Sequence, residues 1–426
     1  MATTSRRTFL QQTGAGVLAA GLSTKLKAAG ANERVRWGLV GCGQRGRWFF
    51  EQADYVCDPD QRRLAVAAEA SGVNSDHAVT DMRRILDDPT IDAVVIAAPD
   101  HWHAPAAILA CEAGKHVYVE KPCSHNFREA QLLLKAARDN KVVVQHGTQQ
   151  RSTPFTIEAI QKLHEGVIGD VLVAKAWNIQ QRDNIGFAQP SSAPPEVDYD
   201  LWVGPAEMVP FQTNRFHSDW HWWYNFGTGD IGNDGAHEID YARWGLGIDA
   251  LPSKVVALGG KYFYNDAQQF PDTATCIFEY PGKDGGAPRQ LVFEMLLWSK
   301  NYPLNCDSGV EYFGTAGKMF LSKRGKMLIY DDKNRVVEDK RAEKDDPLLH
   351  LNDFVDAIRT GRKPNADILE GFRSVALIHL ANIAVRTGRS LEFDSATEQI
   401  TNDHSANALL SRTYREGGHW AKPKGA

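Results

Sequence analysis

Between residues 35 and 144 short apolar runs alternate with helical stretches, and no other feature restricts the fold of this chain as strongly. Val35-Arg36-Trp37-Gly38-Leu39-Val40 reads as a buried strand, with further strands over 54–57, 92–98, 116–119 and 141–144. Helices are expected over 61–71, 81–86, 105–113 and 126–139, the last with Asn126 as N-cap and Glu129 in the capping-box position. The 92–98 run is apolar throughout, as in a strand covered on both faces. Such alternation specifies an α/β fold with a doubly wound parallel sheet.

The first strand runs into Gly41-Cys42-Gly43-Gln44-Arg45-Gly46, which fits G-x-G-x-x-G. The first glycine permits the tight turn, the second lets the backbone approach a pyrophosphate, and the third lets the next helix pack on the strand. Asp58 ends the second strand, where a carboxylate accepts bonds from a ribose 2′-hydroxyl and repels a 2′-phosphate, which favours NAD. Arg62 and Arg63 follow closely and would accommodate NADP. Asp58 lies only 12 residues beyond Gly46, against about 20 in the usual motif. The first crossover helix is therefore limited to about two turns. Gln44 and Arg45 in the loop, and Pro99, Asp100 and His103 at the carboxyl edge of the 92–98 strand, are expected to border the dinucleotide.

Residues 92–122 read DAVVIAAPDHWHAPAAILACEAGKHVYVEKP. Their end, Glu120-Lys121-Pro122, resembles the E-K-P signature of the Gfo/Idh/MocA oxidoreductases, and residues 198–206 and 222–237 resemble the family's exported branch. The resemblance implies a Rossmann domain over 32–150. It also implies a C-terminal α+β domain over 151–426, built on a large open, mainly antiparallel sheet. Glu120 and Lys121 would meet the cofactor. Lys121 corresponds to the family's active-site lysine, which hydrogen-bonds the reacting hydroxyl and stabilises alkoxide character, and Pro122 would fix the turn, often as a cis peptide. The second family signature is D-x-x-x-H, with an acid/base histidine and a substrate-holding aspartate. Here Asn233 stands four residues before His237. Asparagine donates and accepts hydrogen bonds but carries no charge. Asp234 is adjacent, though on a helix it would point elsewhere. His237 is suited to accept a proton near neutral pH.

Residues 216–226 are rich in aromatic and polar side chains. They read either as a sugar-binding surface, with Trp220 and Tyr224 as platforms, or as a packed core segment. Gln149 and Arg151, just past the last Rossmann strand, are candidate hydroxyl or carboxylate contacts. His217 and His221 have a spacing that would suit a metal on a helix, but no carboxylate framework accompanies them and no metal is expected. None of the six cysteines forms a C-x-x-C pair, and most read as small buried hydrophobes. A net charge of -5 without a basic run argues against a nucleic-acid partner.

At the N-terminus, Ser5-Arg6-Arg7-Thr8-Phe9-Leu10, an apolar run over 14–22 and small residues over 28–31 resemble a twin-arginine export signal spanning 1–31. A periplasmic or extracellular location is expected. The apolar run is too short to span a bilayer, and no other segment approaches eighteen apolar residues, so no membrane span is expected in the mature form. Export in the folded state gives a reason for a tightly held dinucleotide. Strands of the second sheet are expected over 171–180, 254–264, 273–280 and 290–298. Helices over 350–359 and 368–386 are expected to pack back on the body and a Pro/Ser-rich loop over 190–195 to border the cleft, and 331–346 reads as a charged, solvated stretch. The resemblance also implies a homo-oligomer, dimer or tetramer, joined through the open sheet. Three functional readings stand. The first is hydride transfer between NAD(P) and a hydroxyl-bearing carbon of a sugar, glycoside or polyol. The second is redox-neutral glycoside hydrolysis or elimination through a transient keto-sugar. The third is a carbohydrate-binding protein on a degenerate scaffold, motivated by the short crossover and Asn233.

Overall fold

Six strands lie parallel in the order β3-β2-β1-β4-β5-β6 in the computed structural model: β1 (Trp37–Val40), β2 (Tyr55–Cys57), β3 (Ala78–Val79), β4 (Ala93–Ile96), β5 (His116–Val119) and β6 (Val144–His146). The order reverses between β1 and β4, where a crevice opens at the strands' carboxyl ends. The structure describes residues 34–282, 285–343, 346 and 348–426; the expected export signal lies outside them. Val35–Ala426 is one compact unit holding both lobes.

The short first crossover takes the form of a seven-residue 3-10 helix, Gly46–Gln52, whose Phe49 and Phe50 are buried. The helix expected over 105–113 begins earlier and runs Asp100–Glu112, with Pro105 inside it. Proline has no N–H for the carbonyl four residues back. That carbonyl, His101 O, accepts instead from Arg412 Nη2 at 2.9 Å. Asn126 caps the next helix, Phe127–Asn140, by accepting from the Glu129 N–H at 3.0 Å. The capping box closes from one side only, because the Glu129 carboxylate turns to Arg412 at 2.6 Å and Tyr414 at 2.8 Å. Lys141, read as strand, is the left-handed cap of that helix (φ 55°), and β6 starts three residues later.

The second lobe is a ten-stranded sheet. Its strands are β7 (Val171–Asn178), β8 (Lys254–Gly260), β9 (Thr273–Tyr280), β10 (Arg289–Leu296), β11 (Ser308–Gly314), β12 (Gly317–Ser322), β13 (Lys326–Asp331), β14 (Val336–Arg341), β15 (Leu391–Asp394) and β16 (Gln399–Ile400). They run in the order β14-β13-β12-β11-β7-β10-β9-β8-β15-β16. Only β7 and β10 pair parallel. The charged stretch over 331–346 is solvated as expected, but it also carries the exposed strand β14, which the sequence reading did not assign.

One face of this sheet is covered by the helices Gly235–Leu246, on β7, β10 and β11, and Ile368–Thr387, on β8 and β9. The second of these also packs on Phe127–Asn140, so it joins the lobes. Ile368–Thr387 is long and apolar enough to cross a membrane, more so than the sequence reading allowed, but most of it is buried inside the protein. The other face is open, with Val256 and Leu258 exposed on β8. Much of the aromatic content is core: Trp177 stacks on Phe320, and Trp222, Trp223 and Phe226 are buried.

Candidate active site

The glycine loop forms one wall of a cavity of about 450 Å³ along the carboxyl ends of β1, β2, β4 and β5. Gly41 has φ +96°, and a Cβ there would meet backbone of Ala97 and Ala98 at 2.5–2.6 Å. A Cβ on Gly46 would lie 2.1 Å from the Gly41 carbonyl oxygen, so Gly46 serves the tight turn and does not line the cavity. A Cβ on Gly43 would meet only the Arg63 guanidinium, with Nη1 at 3.0 Å. This face of the loop is free of backbone, as close approach of a pyrophosphate requires.

Gln44, Arg45, Asp58, Pro99, Asp100, His103 and Glu120 all line this cavity. Asp58 is buried; its Oδ2 accepts the Cys42 N–H at 2.8 Å and its Oδ1 the Asp60 N–H at 2.9 Å. Burial raises its pKa, against those two bonds and Arg63. Arg45 pairs with Glu120 at 2.6 Å. His103 places Nδ1 2.6 Å from the Pro122 carbonyl and Nε2 2.7 Å from the Ala98 carbonyl. Burial lowers its pKa, and a neutral ring can donate to only one of the two oxygens. Asp100 opens the Asp100–Glu112 helix and accepts the Thr228 hydroxyl at 2.6 Å. Burial pushes its pKa up to about 7, although Thr228 and Lys121 oppose the rise.

Lys121 precedes a cis peptide to Pro122. Its Nζ donates to the Asn233 backbone oxygen at 2.7 Å and to Asn233 Oδ1 at 2.9 Å. Asn233 ends the short helix Gly229–Asn233, and its Nδ2 donates to Asp230 Oδ1 at 2.9 Å. His237 lies on the following helix, Gly235–Leu246, and lines the same cavity as Lys121 and Asn233. Burial first, then the Lys323 and Lys121 ammoniums, push its pKa well below the usual value, so the ring is neutral.

Behind this row lies a charged cluster. Arg182 binds the buried Asp230 through both carboxylate oxygens at 2.9–3.3 Å and also meets Asp234. Lys323 lies 3.4 Å from Asp234 and 3.0 Å from Glu238. Burial would raise Asp234, but Lys323, Arg182 and Lys121 hold it well below the usual carboxylate range. Burial pushes Glu238 up to about 7. Asp234, named as a catalytic candidate from sequence, therefore faces Arg182 and Lys323 and does not line the cavity.

The substrate candidates divide. Gln149 lines the cavity but is engaged, donating to Tyr118 at 3.1 Å and Glu120 at 3.2 Å. Trp220 lines it too and stacks on His221. Arg151 does not: it is buried against Asp240 at 2.8 Å, in the interior between the Gly235–Leu246 and Ile368–Thr387 helices. Tyr224 faces a separate cavity of about 390 Å³ and packs on Phe270 and Arg386. The 190–195 loop does not line the cleft.

Residues 196–221 cover the cavity as a roof on one side; the aromatic stretch from 216 was expected as a surface, whereas the contribution of 196–215 was not foreseen. Asp60 bridges Val197 antiparallel, Gln61 N–H donates to Glu196 O at 3.0 Å, and Asp198 N–H donates to Pro59 O at 3.0 Å. His217 Nε2 lies 3.1 Å from Asp60 Oδ2. Trp202, His217 and His221 line the cavity from this side, and Trp420 of the C-terminal segment lines it as well. Among the described residues no group of three or more His, Cys, Asp or Glu could hold a metal ion.

Residues 35–148 match the NAD-binding Rossmann domain, and residues 174–421 the C-terminal alpha/beta domain, of the Gfo/Idh/MocA oxidoreductase family. The scyllo-inositol 2-dehydrogenase (NAD(+)) of Bacillus subtilis is 24% identical over 378 residues, covering 85% of this chain and 97% of that protein. Levoglucosan dehydrogenase of Pseudarthrobacter phenanthrenivorans is 30% identical over 192 residues, which span 45% of this chain and 42% of that protein. A solved levoglucosan dehydrogenase with NADH and levoglucosan shares the fold at a TM-score of 0.64 and 20% identity, covering 84% of this chain and 99% of that one. The WlbA dehydrogenase from Bordetella pertussis, solved with NADH and UDP-GlcNAcA, does so at 0.63 and 20%, covering 85% and 99%. With both of its lobes matched in sequence order and built on the expected pair of sheets, the chain belongs to the Gfo/Idh/MocA oxidoreductase family.

Proposed function

We propose that this protein is an NAD-dependent oxidoreductase that moves hydride to or from a hydroxyl-bearing carbon of a sugar, glycoside or polyol. One observation carries the reading: Lys121 and His237, from different lobes, line the same cavity as the glycine loop and Asp58. The donor set fits a dinucleotide, since Gly43 offers an open backbone face and Asp58 a buried carboxylate at the end of β2. Gly41–Gly43 would hold the pyrophosphate and Asp58 the adenosine ribose. When bound, the nicotinamide supplies the two-electron chemistry.

Lys121 spends two of its three N–H donors on Asn233. The third is left for the oxygen of the reacting carbon, where it stabilises developing alkoxide. His237, held neutral, accepts the hydroxyl proton in the oxidising direction and returns it in the other. Relatives named for inositol and levoglucosan support a small polyhydroxylated substrate, and Trp220 presents an aromatic ring to the cavity. The test is a panel of sugars, inositols and anhydrosugars scored by NADH absorbance. A protein that holds the nucleotide but responds to none of them would sink net dehydrogenation. The roof over 196–221 favours slow exchange of nucleotide, which would also suit the redox-neutral reading; glycoside cleavage without net NADH would select it.

The exposed Val256 and Leu258 on the open sheet face support a homo-oligomer formed through that face. Light scattering on wild type and on Leu258→Asp tests this, with a monomeric wild type as the failing result. Ser5-Arg6-Arg7 supports export by the twin-arginine route. Secretion of Arg6→Lys/Arg7→Lys at wild-type level would remove that support.

A further inference from the structure

We infer that Arg63 is a pyrophosphate-binding residue, supplying through its side chain the positive charge that a full first helix would bring. The assignment rests on the dinucleotide reading above and concerns how the phosphates are held.

A G-x-G-x-x-G loop ordinarily opens an α-helix whose aligned dipoles and unpaired N–H groups face the phosphates. Here the loop enters the seven-residue 3-10 helix Gly46–Gln52. So short an element has poorly aligned peptide units and little summed dipole. Two phosphate charges would then meet a loop flanked by the acidic Asp58 and Asp60, so a cation is needed nearby.

The neighbouring cations are mostly spoken for. Arg45 is paired with Glu120 at 2.6 Å, Arg62 with Asp60 at 3.5 Å, and Lys121 with Asn233. Arg47 is exposed and does not line the cavity. Arg63 is attracted by Asp58 and Asp60 but hydrogen-bonded to neither. It projects from the helix Gln61–Ser71 into the cavity wall, is half-buried, and makes no hydrogen bond or close ion pair among the described residues. Its guanidinium lies against Gly43, the one glycine of the motif whose side-chain face is not blocked by backbone. That is where the motif brings a pyrophosphate closest to the chain. A planar guanidinium with five donors suits two bridged phosphate groups. Asp58 and Asp60 attract the same guanidinium from the ribose end, and NADPH distinguishes a pyrophosphate contact from a 2′-phosphate one.

The test uses the full chain freed of nucleotide, titrated with NADH, NADPH, ADP-ribose and adenosine. Loss of one charge-assisted contact should weaken NADH and ADP-ribose by about ten- to a hundredfold in Arg63→Gln. NADPH should weaken by the same factor, and adenosine, which has no phosphate, should bind as before. Arg63→Lys should recover part of the loss, and Arg47→Gln, outside the cavity, should behave as wild type. The assignment is overturned if Arg63→Gln binds NADH and ADP-ribose like wild type, or if NADPH alone suffers, which would mark a 2′-phosphate reader. Failure of the unaltered protein to bind any dinucleotide would strike the dinucleotide reading itself, and this assignment with it.

Discussion

Asn233 grips Lys121 through its amide oxygen and Asp230 through its amide nitrogen, each at 2.9 Å. The orientation of the amide is thereby fixed, since only its NH₂ can donate to a carboxylate. The lysine is held by dipoles, and the nearest formal charge in the chain of contacts is one residue removed.

Restoring an aspartate at this position should therefore harm the fold. Asn233→Asp removes the donor to Asp230 and sets two carboxylates against each other. A loss of about 1.5–3 kcal/mol is expected, the range for one hydrogen bond to a charged group, with Arg182 still bound to Asp230. Urea denaturation measures it; an Asn233→Asp protein as stable as wild type would contradict the arrangement.

Lys121→Ala removes a donor aimed at the reacting oxygen. A fall of about 10²–10³ in kcat is expected, by analogy with loss of one oxyanion donor. NADH binding, followed by fluorescence, should persist. Unchanged turnover would exclude Lys121 from the chemistry.

Arg182 neutralises Asp230 and Asp234 together. Arg182→Met leaves Asp230 buried with only Asn178 and Asn233 as donors. Removing one partner of a buried pair costs about 3–5 kcal/mol. The double variant Arg182→Met/Asp230→Asn should recover part of that loss. If the losses simply add, the pair is not coupled.

Stability should fall as pH rises toward neutrality on account of two acids. Asp100 and Glu238 titrate at about 7 in the folded protein because burial disfavours their charge. In the unfolded chain they titrate at about 4. Between these limits the native state holds protons that the unfolded state has lost, so its advantage is complete at the acid end and declines as pH climbs through 7. Asp100→Asn keeps an acceptor for the Thr228 hydroxyl while removing the titration. It should be more stable than wild type at pH 8, with a gap that shrinks toward pH 4. Urea midpoints across that range check the sign; a gap independent of pH would refute it.

The Rossmann half was legible because each of its signals is local. Residues 61–71, 92–98 and 116–119 carry their periodicity in consecutive positions, and the glycine motif and Glu120-Lys121-Pro122 sit at strand ends that the alternation places on one edge. The 12-residue spacing from Gly46 to Asp58 likewise announced a stunted first helix. What escaped depends on contacts distant in sequence. Arg151 looked available until Asp240, 89 residues away, claimed it. Tyr224 lies four residues from Trp220 but behind the wall that separates two cavities. Arg182 and Lys323 lie in stretches without any motif and acquire meaning only when the second sheet brings them beneath Asp230, Asp234 and Glu238. The charged residues of β14 hid a strand because an edge strand needs no apolar face of its own.

That edge strand also limits how copies of this chain can join. β14 is rich in charge, with Asp339 and Arg341 exposed and Glu338 and Lys340 paired to Lys162 and Glu158, and β16 at the opposite rim is only two residues long. Neither margin invites another strand to add on, so growth by lateral accretion, which has no natural end, is discouraged. The broad flat side remains, and a surface that mates with its own copy about a two-fold axis is used up in the act. The sheet is thus suited to finite assemblies and guarded against fibres.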